Sequence, residues 1–247
     1  MKLKRVLVSL VAVAMTVSLV PAMAFATEVE NDDETAIIEV AGAKAENPAK
    51  LGTPSSQTDC GKNLNFTIDS NGILIITGSG AMYNYSYKEG KRAPWYNKRA
   101  DIKGIKFSGS ITSIGSYAFY CLTGIGAVSI PSSVTSIGTG AFSYSSVSKI
   151  SGGSKVKTIG ARAFKKTTKL TSFSISSKYL YKIGSYAFQS SAVKTISISK
   201  TSKLKKKYVR KSLKKSKVNK VNVKNSKKVI YRYYFSKYNA GRKVKVY

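Results

Sequence analysis

From about residue 102 onward the chain repeats one arrangement of apolar and polar positions. Four segments read Ile-Gly-x-x-Ala-Phe: Ile114 to Phe119, Ile137 to Phe142, Ile159 to Phe164 and Ile183 to Phe188, at spacings of 23, 22 and 24 residues. Between them lie short runs that alternate apolar with small polar residues, such as Val128-Ser129-Ile130, Phe173-Ser174-Ile175 and Ile196-Ser197-Ile198. A period of two predicts strands with the apolar side chains inward and the hydroxyls outward. Weaker copies at Ile105-Lys106-Phe107, Ile150-Ser151-Gly152, Val221-Asn222-Val223 and Val244-Lys245-Val246 complete a series of strand starts at 105, 128, 150, 173, 196, 221 and 244. Seven starts at a nearly constant step predict a repeat solenoid, mostly β, with about seven strands side by side in one parallel sheet.

Each turn of such a solenoid exposes both faces unless neighbours cover them, so a single turn does not fold alone. Ile, Ala and Phe of Ile-Gly-x-x-Ala-Phe stand at i, i+4 and i+5, which predicts one short helical turn. The glycine is expected to supply a positive φ where the chain reverses. Upstream, two strand-like runs at 64–68 and 73–77 flank Asp69-Ser70-Asn71-Gly72 and predict a β-hairpin capping the N-terminal end. With the strands in register, one outward column reads Lys106, Ser129, Ser151, Ser174, Ser197, Asn222, Lys245. Its neighbour reads Gly104, Ala127, Lys149, Ser172, Thr195, Lys220, Lys243.

The segments before the repeat have other signatures. Residues 1–26 hold Lys2, Lys4 and Arg5, an apolar run from Val6 to Val20, and Ala24-Phe25-Ala26 before Thr27, the layout of a cleaved signal peptide. The run is shorter than the roughly 20 residues a bilayer span needs, and no later stretch is apolar enough, so no transmembrane segment is expected after cleavage. Residues 27–57 have seven acidic side chains and no periodicity, as in a disordered acidic linker. The expected organisation is therefore signal peptide 1–26, linker 27–57, capping region 58–101, regular repeats 102–199, and degenerate Lys-rich repeats or a cap at 200–247.

Charge narrows the function. The chain has 42 Lys+Arg, 11 Asp+Glu and no histidine among 247 residues. All 11 acidic residues lie in 1–101; residues 102–247 carry 31 basic side chains and none acidic. Paired-carboxylate catalysis and histidine-based triads or zinc sites are excluded from the larger part of the chain. No catalytic residue, metal site or cofactor is expected, and the chain reads as a non-enzyme. Residues 193–247 hold 20 Lys+Arg in 55 positions, more than solubility or edge protection needs. Lysine predominates there, a point charge suited to diffuse anionic polymers. The candidate ligand-binding residues are Lys149, Lys194, Lys220, Asn222, Arg242, Lys243 and Lys245, all but Lys149 at the C-terminal end of the sheet.

Several motifs together resemble a known family. Leu170-Thr-Ser-Phe173-Ser-Ile175 with Ile183-Gly184-Ser-Tyr-Ala187-Phe188, and Cys121, Pro131 and Ser132-Ser133-Val134-Thr135-Ser136-Ile137-Gly138, resemble the BspA-like leucine-rich repeat surface proteins of Gram-positive bacteria. Cys60-Gly61, Asn71-Gly72, Gly78-Ser-Gly80-Ala81-Met82-Tyr83 and Ala93-Pro94-Trp95-Tyr96 are similar to the N-terminal cap of such proteins. The likeness covers roughly residues 58–200. Leu204-Lys205 and Ile230-Tyr231 replace the Ile-Gly pair in the last two turns. Two readings of Cys60 and Cys121 stand: a disulfide tying cap to first turn, or two free thiols, the second being preferred. The resemblance implies a secreted leucine-rich repeat protein of the cell surface, an adhesin-type module that binds host matrix proteins or glycans. The alternative is a wall-associated structural protein held to anionic cell-wall polymers by its basic end. Nucleic acid is expected to bind only non-specifically.

Overall fold

The structure is a computed structural model, and it describes residues 58–198, 204, 206–223, 231, 234–235 and 244–247. The segments expected as signal peptide and acidic linker, and the candidate residues Arg242 and Lys243, lie outside the described residues. In chain order the strands are β1 (Asp59–Gly61), β2 (Leu64–Ile68), β3 (Ile73–Ala81), β4 (Gly104–Ile114), β5 (Ala127–Ile130), β6 (Ser136–Ile137) and β7 (Lys149–Gly152). They continue as β8 (Thr158–Ile159), β9 (Ser172–Ile175), β10 (Lys182–Ile183), β11 (Thr195–Ile198), β12 (Lys220–Val223) and β13 (Lys245–Val246).

The cap is the expected hairpin. β2 and β3 pair antiparallel from Leu64↔Gly78 to Ile68↔Leu74. The Asp69 carboxylate closes the turn by accepting the backbone N–H groups of Asn71 (2.9 Å) and Ile73 (2.8 Å), while Gly72 takes a φ of 78°. β3 then runs parallel to β4 from Ile73↔Gly104 to Ala81↔Ser113, a strand contact longer than any in the repeats.

The alternating runs form a parallel sheet in the order β13-β12-β11-β9-β7-β5. Val128, Ile150, Phe173, Ile196 and Val221 are buried beneath it, and their polar neighbours are not. Among the described residues this sheet has six strands. The seventh expected strand, at Ile105, lies in β4 and belongs to the other sheet, because β3 holds it along its whole length. The register of the last strand also differs from the even period: Val221 faces Val246, not Val244. A slip of two residues keeps parity, so Lys245 still points outward and Val246 inward.

The Ile-Gly segments are not helical. Ser136-Ile137, Thr158-Ile159 and Lys182-Ile183 are two-residue strands that extend the cap's sheet in the order β4-β6-β8-β10, with Ile114, Ile137, Ile159 and Ile183 in register. Nor does the glycine after them supply positive φ. That falls two and six residues later, at Tyr117 and Cys121, Gly140 and Tyr144, Arg162 and Lys166, Tyr186 and Ser190. The glycine is needed for space. A Cβ on Gly160 would stand 2.5 Å from the Gly138 carbonyl carbon, one on Gly184 2.6 Å from that of Gly160, and one on Gly138 2.7 Å from that of Gly115. Among the described residues β10 is the last strand of this sheet, and a four-residue helix, α1 (Lys206–Val209), follows it in the chain.

Between the sheets runs an aromatic spine. Trp95, Phe119, Phe142, Phe164 and Phe188 follow one another at ring-centroid distances of 6.0, 5.1, 5.4 and 5.5 Å. Such pairs add about 0.5–1.5 kcal/mol each beyond the area they bury. The cap joins the spine through Trp95, whose Nε1–H donates to the Ala118 carbonyl at 2.9 Å. Cys60 and Cys121 are both free thiols, and burial, with the Asp59 charge beside it, pushes the Cys60 thiol up to about 12.

Gly138→Ala is therefore expected to destabilise the protein by more than about 2 kcal/mol, since backbone must move to admit the methyl. Gly126→Ala, whose Cβ would meet nothing closer than 3.9 Å, is expected to cost far less. Denaturant midpoints of the two variants check this contrast.

Candidate ligand-binding face

The outward face of the six-stranded sheet collects the basic and hydroxyl side chains into two columns. The first reads Ala127, Lys149, Ser172, Thr195, Lys220 and Lys245, joined by the pairs Ala127↔Lys149, Lys149↔Ser172, Thr195↔Lys220 and Lys220↔Lys245. The second contains Ser129↔Ser151, then Ser174↔Ser197 and Ser197↔Asn222. Lys245 thus stands beside Lys220 and not beside Asn222, as the expected columns had it. Tyr247 takes the place next to Asn222: its N–H donates to Val221 O at 3.0 Å, and its carbonyl accepts the Val223 N–H at 2.8 Å. Lys106 leaves the column altogether, because it pairs with Ile75 in the other sheet.

Four of the candidate residues come together at the C-terminal end. Lys194 is exposed at the start of β11, and its carbonyl accepts the N–H groups of Asn219 (2.9 Å) and Lys220 (3.1 Å). Asn222 Nδ2 donates to Ser197 Oγ at 3.4 Å. Lys149 is exposed on the same column but three strands from Lys220, about 14 Å at ~4.8 Å per strand. It stands apart from the cluster.

Electrostatically the cluster is uncompensated. No acidic residue follows Asp101 in the sequence, so no side-chain carboxylate of the repeats can offset Lys194, Lys220 and Lys245. Like charges directly opposite on neighbouring strands destabilise a sheet. Among the described residues an aromatic contact offsets part of this: Lys220 Nζ lies 4.5 Å from the Tyr247 ring centroid, a cation–π contact. Tyr247 was not among the sequence candidates, although the final Val-Lys-Val-Tyr alternation carries its signal. The face offers cations, hydroxyls and one amide on a flat, solvent-exposed surface. It holds no general acid or base, and among the described residues no group of three His, Cys, Asp or Glu could hold a metal ion.

Comparisons with known proteins bear on the repeat fold that carries this face. The family model described as the BspA type leucine rich repeat region matches in six copies over residues 93–213 and 180–246, and the chain belongs to that family. A leucine-rich repeat protein from Eubacterium ventriosum is similar in structure, with 30% identity and a TM-score of 0.58 over 68% of this chain. The match spans 44% of that protein's chain. A leucine-rich repeat protein from Bacteroides ovatus aligns over 66% of this chain and 70% of its own, at 14% identity and a TM-score of 0.29. No curated protein matches. The protein is a BspA-type leucine-rich repeat protein, a repeat fold of the binding type.

If the Lys220–Lys245 pairing carries a cost, Lys245→Glu should convert repulsion into attraction across β12 and β13. The variant is expected to gain about 0.2–1 kcal/mol of stability, read from its thermal midpoint at low salt, with the gain shrinking as salt is added.

Proposed function

We propose that this chain is an exported, adhesin-type binding module of a bacterial cell surface, which docks a host matrix protein or glycan on the strand face of its solenoid. The observation that carries the reading is the cluster of Lys194, Lys220, Asn222 and Lys245, which keeps adjacent like charges on a face with no acidic counterpart. A chain selected for stability alone would alternate sign at such positions. The amino-terminal n-, h- and c-like pattern supports export, and membership of the BspA-type family supports a surface role. Among the described residues no helix is long and apolar enough to cross a membrane.

A second reading rests on a different observation. Twenty Lys+Arg in the last 55 positions, nearly all lysine, suit anionic wall polymers without a specific ligand. In that case the basic end holds the protein on the wall by charge alone. The two readings part at physiological salt, where exposed charges are screened over about 8 Å. A docked ligand keeps saturable, selective affinity there, whereas diffuse attraction fades.

The test compares the mature chain with Lys194→Gln, Lys220→Gln and Lys245→Gln combined. Binding to immobilised heparin, to teichoic-acid-bearing walls and to fibronectin-coated surfaces is measured at low and physiological salt. The proposal expects saturable binding to at least one host-type ligand at physiological salt, and its loss in the triple variant. Binding only at low salt, and to every polyanion alike, would favour wall retention. Equal binding by parent and variant under all conditions would remove the lysine face from either account.

A further inference from the structure

Two guanidinium groups converge on a single ring at the other end of the molecule. The segment between β3 and β4 carries Arg92, Tyr96 and Arg99, with Arg92 Cζ 4.5 Å and Arg99 Cζ 4.3 Å from the Tyr96 ring centroid. Each arginine is tied to backbone by one bond: Arg92 Nε donates to Tyr87 O at 2.9 Å, and an Arg99 η-nitrogen to Tyr96 O at 3.2 Å. A guanidinium carries five N–H donors, so most of both forks remain for other acceptors. Neither makes an ion pair among the described residues.

The rings around them form a half-exposed pavement on the turn side of the solenoid. Tyr96 stacks with Tyr120 at 6.1 Å and 12°, and Tyr120 meets Tyr144 edge to face at 5.7 Å. Burial pushes the Cys121 thiol up, and the field of Arg99 and Arg92 works against that push. Tyr144 sits on this surface with a φ of 61°, a left-handed conformation that costs a non-glycine residue roughly 1–2 kcal/mol. Tyr117, with a φ of 52°, occupies the position that Gly140 fills one turn later. The same conformation recurs at Cys121, Lys166 and Ser190, and at Arg162 and Tyr186, so it belongs to the turn and places whichever side chain stands there on this surface.

The chemistry on offer is specific. The face of Tyr96 is already taken by guanidinium groups, and Tyr120 is flanked by other rings. An incoming ligand therefore meets phenol hydroxyls and guanidinium N–H groups more than open ring faces. A nucleobase needs a free face to stack on. A peptide needs a sheet edge or an apolar groove, whereas the large hydrophobic side chains exposed among the described residues are three single tyrosines. A hydroxyl-rich chain bearing carboxylates or sulfates needs neither. We propose that Arg92, Tyr96, Arg99, Tyr120 and Tyr144 form a binding site for an acidic sugar chain. The paired guanidiniums hold its carboxylate or sulfate bidentately, and the phenol hydroxyls hydrogen-bond its ring hydroxyls. The site is separate from the lysine face and does not depend on it.

Titration calorimetry of the full mature chain at physiological salt tests this, with tetragalacturonate, a sulfated chondroitin tetrasaccharide and neutral maltotetraose as probes. The two acidic probes are expected to bind and maltotetraose not to. Tetragalacturonate carries carboxylates alone, so its binding shows that a carboxylate suffices. Arg92→Lys with Arg99→Lys keeps the charge and loses the forks, and it should weaken binding about tenfold. The triple lysine-face variant should bind as the parent does. If the double arginine variant melts early, Tyr96→Phe replaces it; this keeps the ring and removes one hydroxyl, and about fivefold weakening is expected. Any of four results overturns the proposal: unchanged affinity in the folded arginine or Tyr96 variant, equal binding of maltotetraose, loss of binding in the lysine-face variant alone, or tighter binding of an oligothymidylate or an acidic peptide than of either acidic sugar.

Discussion

Consecutive turns of this chain meet backbone to backbone at the column Gly115, Gly138, Gly160 and Gly184, and everything else inherits the spacing that this contact sets. A Cβ at any of these places would fall on the main chain of the preceding turn, or for Gly115 on that of Tyr83 in the cap. With the turns held that close, the N–H groups of Tyr117, Phe119 and Cys121 reach the carbonyls of Thr139, Ala141 and Ser143, and the same ladder continues through the following turns. The phenylalanines then stack at van der Waals spacing, and the alternating strands on the far side fall into register. Lys220 and Lys245 lie beyond the last glycine of this column, and there the six-stranded sheet carries the register on from Thr195.

How legible this was in the sequence depends on which physical signal each part leaves. The period, the inward and outward alternation and the capping hairpin were plain, because Ile, Phe and Gly recur and Asp-x-Asn-Gly marks a turn. The second sheet was not, because two-residue strands such as Ser136-Ile137 have no alternation to read. The role of its glycine was also hidden. Glycine signals either positive φ or close approach, and the sequence does not say which; the position two residues later carries the positive φ even when it is Tyr117 or Arg162. The final register was ambiguous for a simple reason. Val244 and Val246 both satisfy an inward position, and parity alone cannot choose between them. The pairing of Arg92 and Arg99 over Tyr96 depends on how an irregular segment folds against the first turn, and no periodic pattern records it.

The two charged surfaces use different chemistry. On the strand face, lysines of adjacent strands form a diffuse positive field over hydroxyls, kept at some cost to the sheet. At the cap end, arginines with directed donors are set among tyrosines on a short irregular segment. Trp95 links that segment to the core, through its bond to Ala118 and its stacking on Phe119. The cap therefore has a structural and a recognition aspect in one stretch: Trp95 ends the spine, and Tyr96 opens the arginine cluster. The solenoid fixes both surfaces while requiring neither. That separation is what allows a repeat family to vary its ligands on a constant core.

Each turn of the solenoid depends only on its neighbours. Excision of residues 143–164 tests it most directly, since it joins Phe142 to Lys165 and removes one full turn without breaking the pattern. Equilibrium denaturation should show a single cooperative transition in the shortened chain, with an m value reduced in step with the buried surface removed. A chain that shows no cooperative transition, or one whose m value is unchanged, would mean that the turns are not interchangeable units and that the fold is held by something other than their stacking.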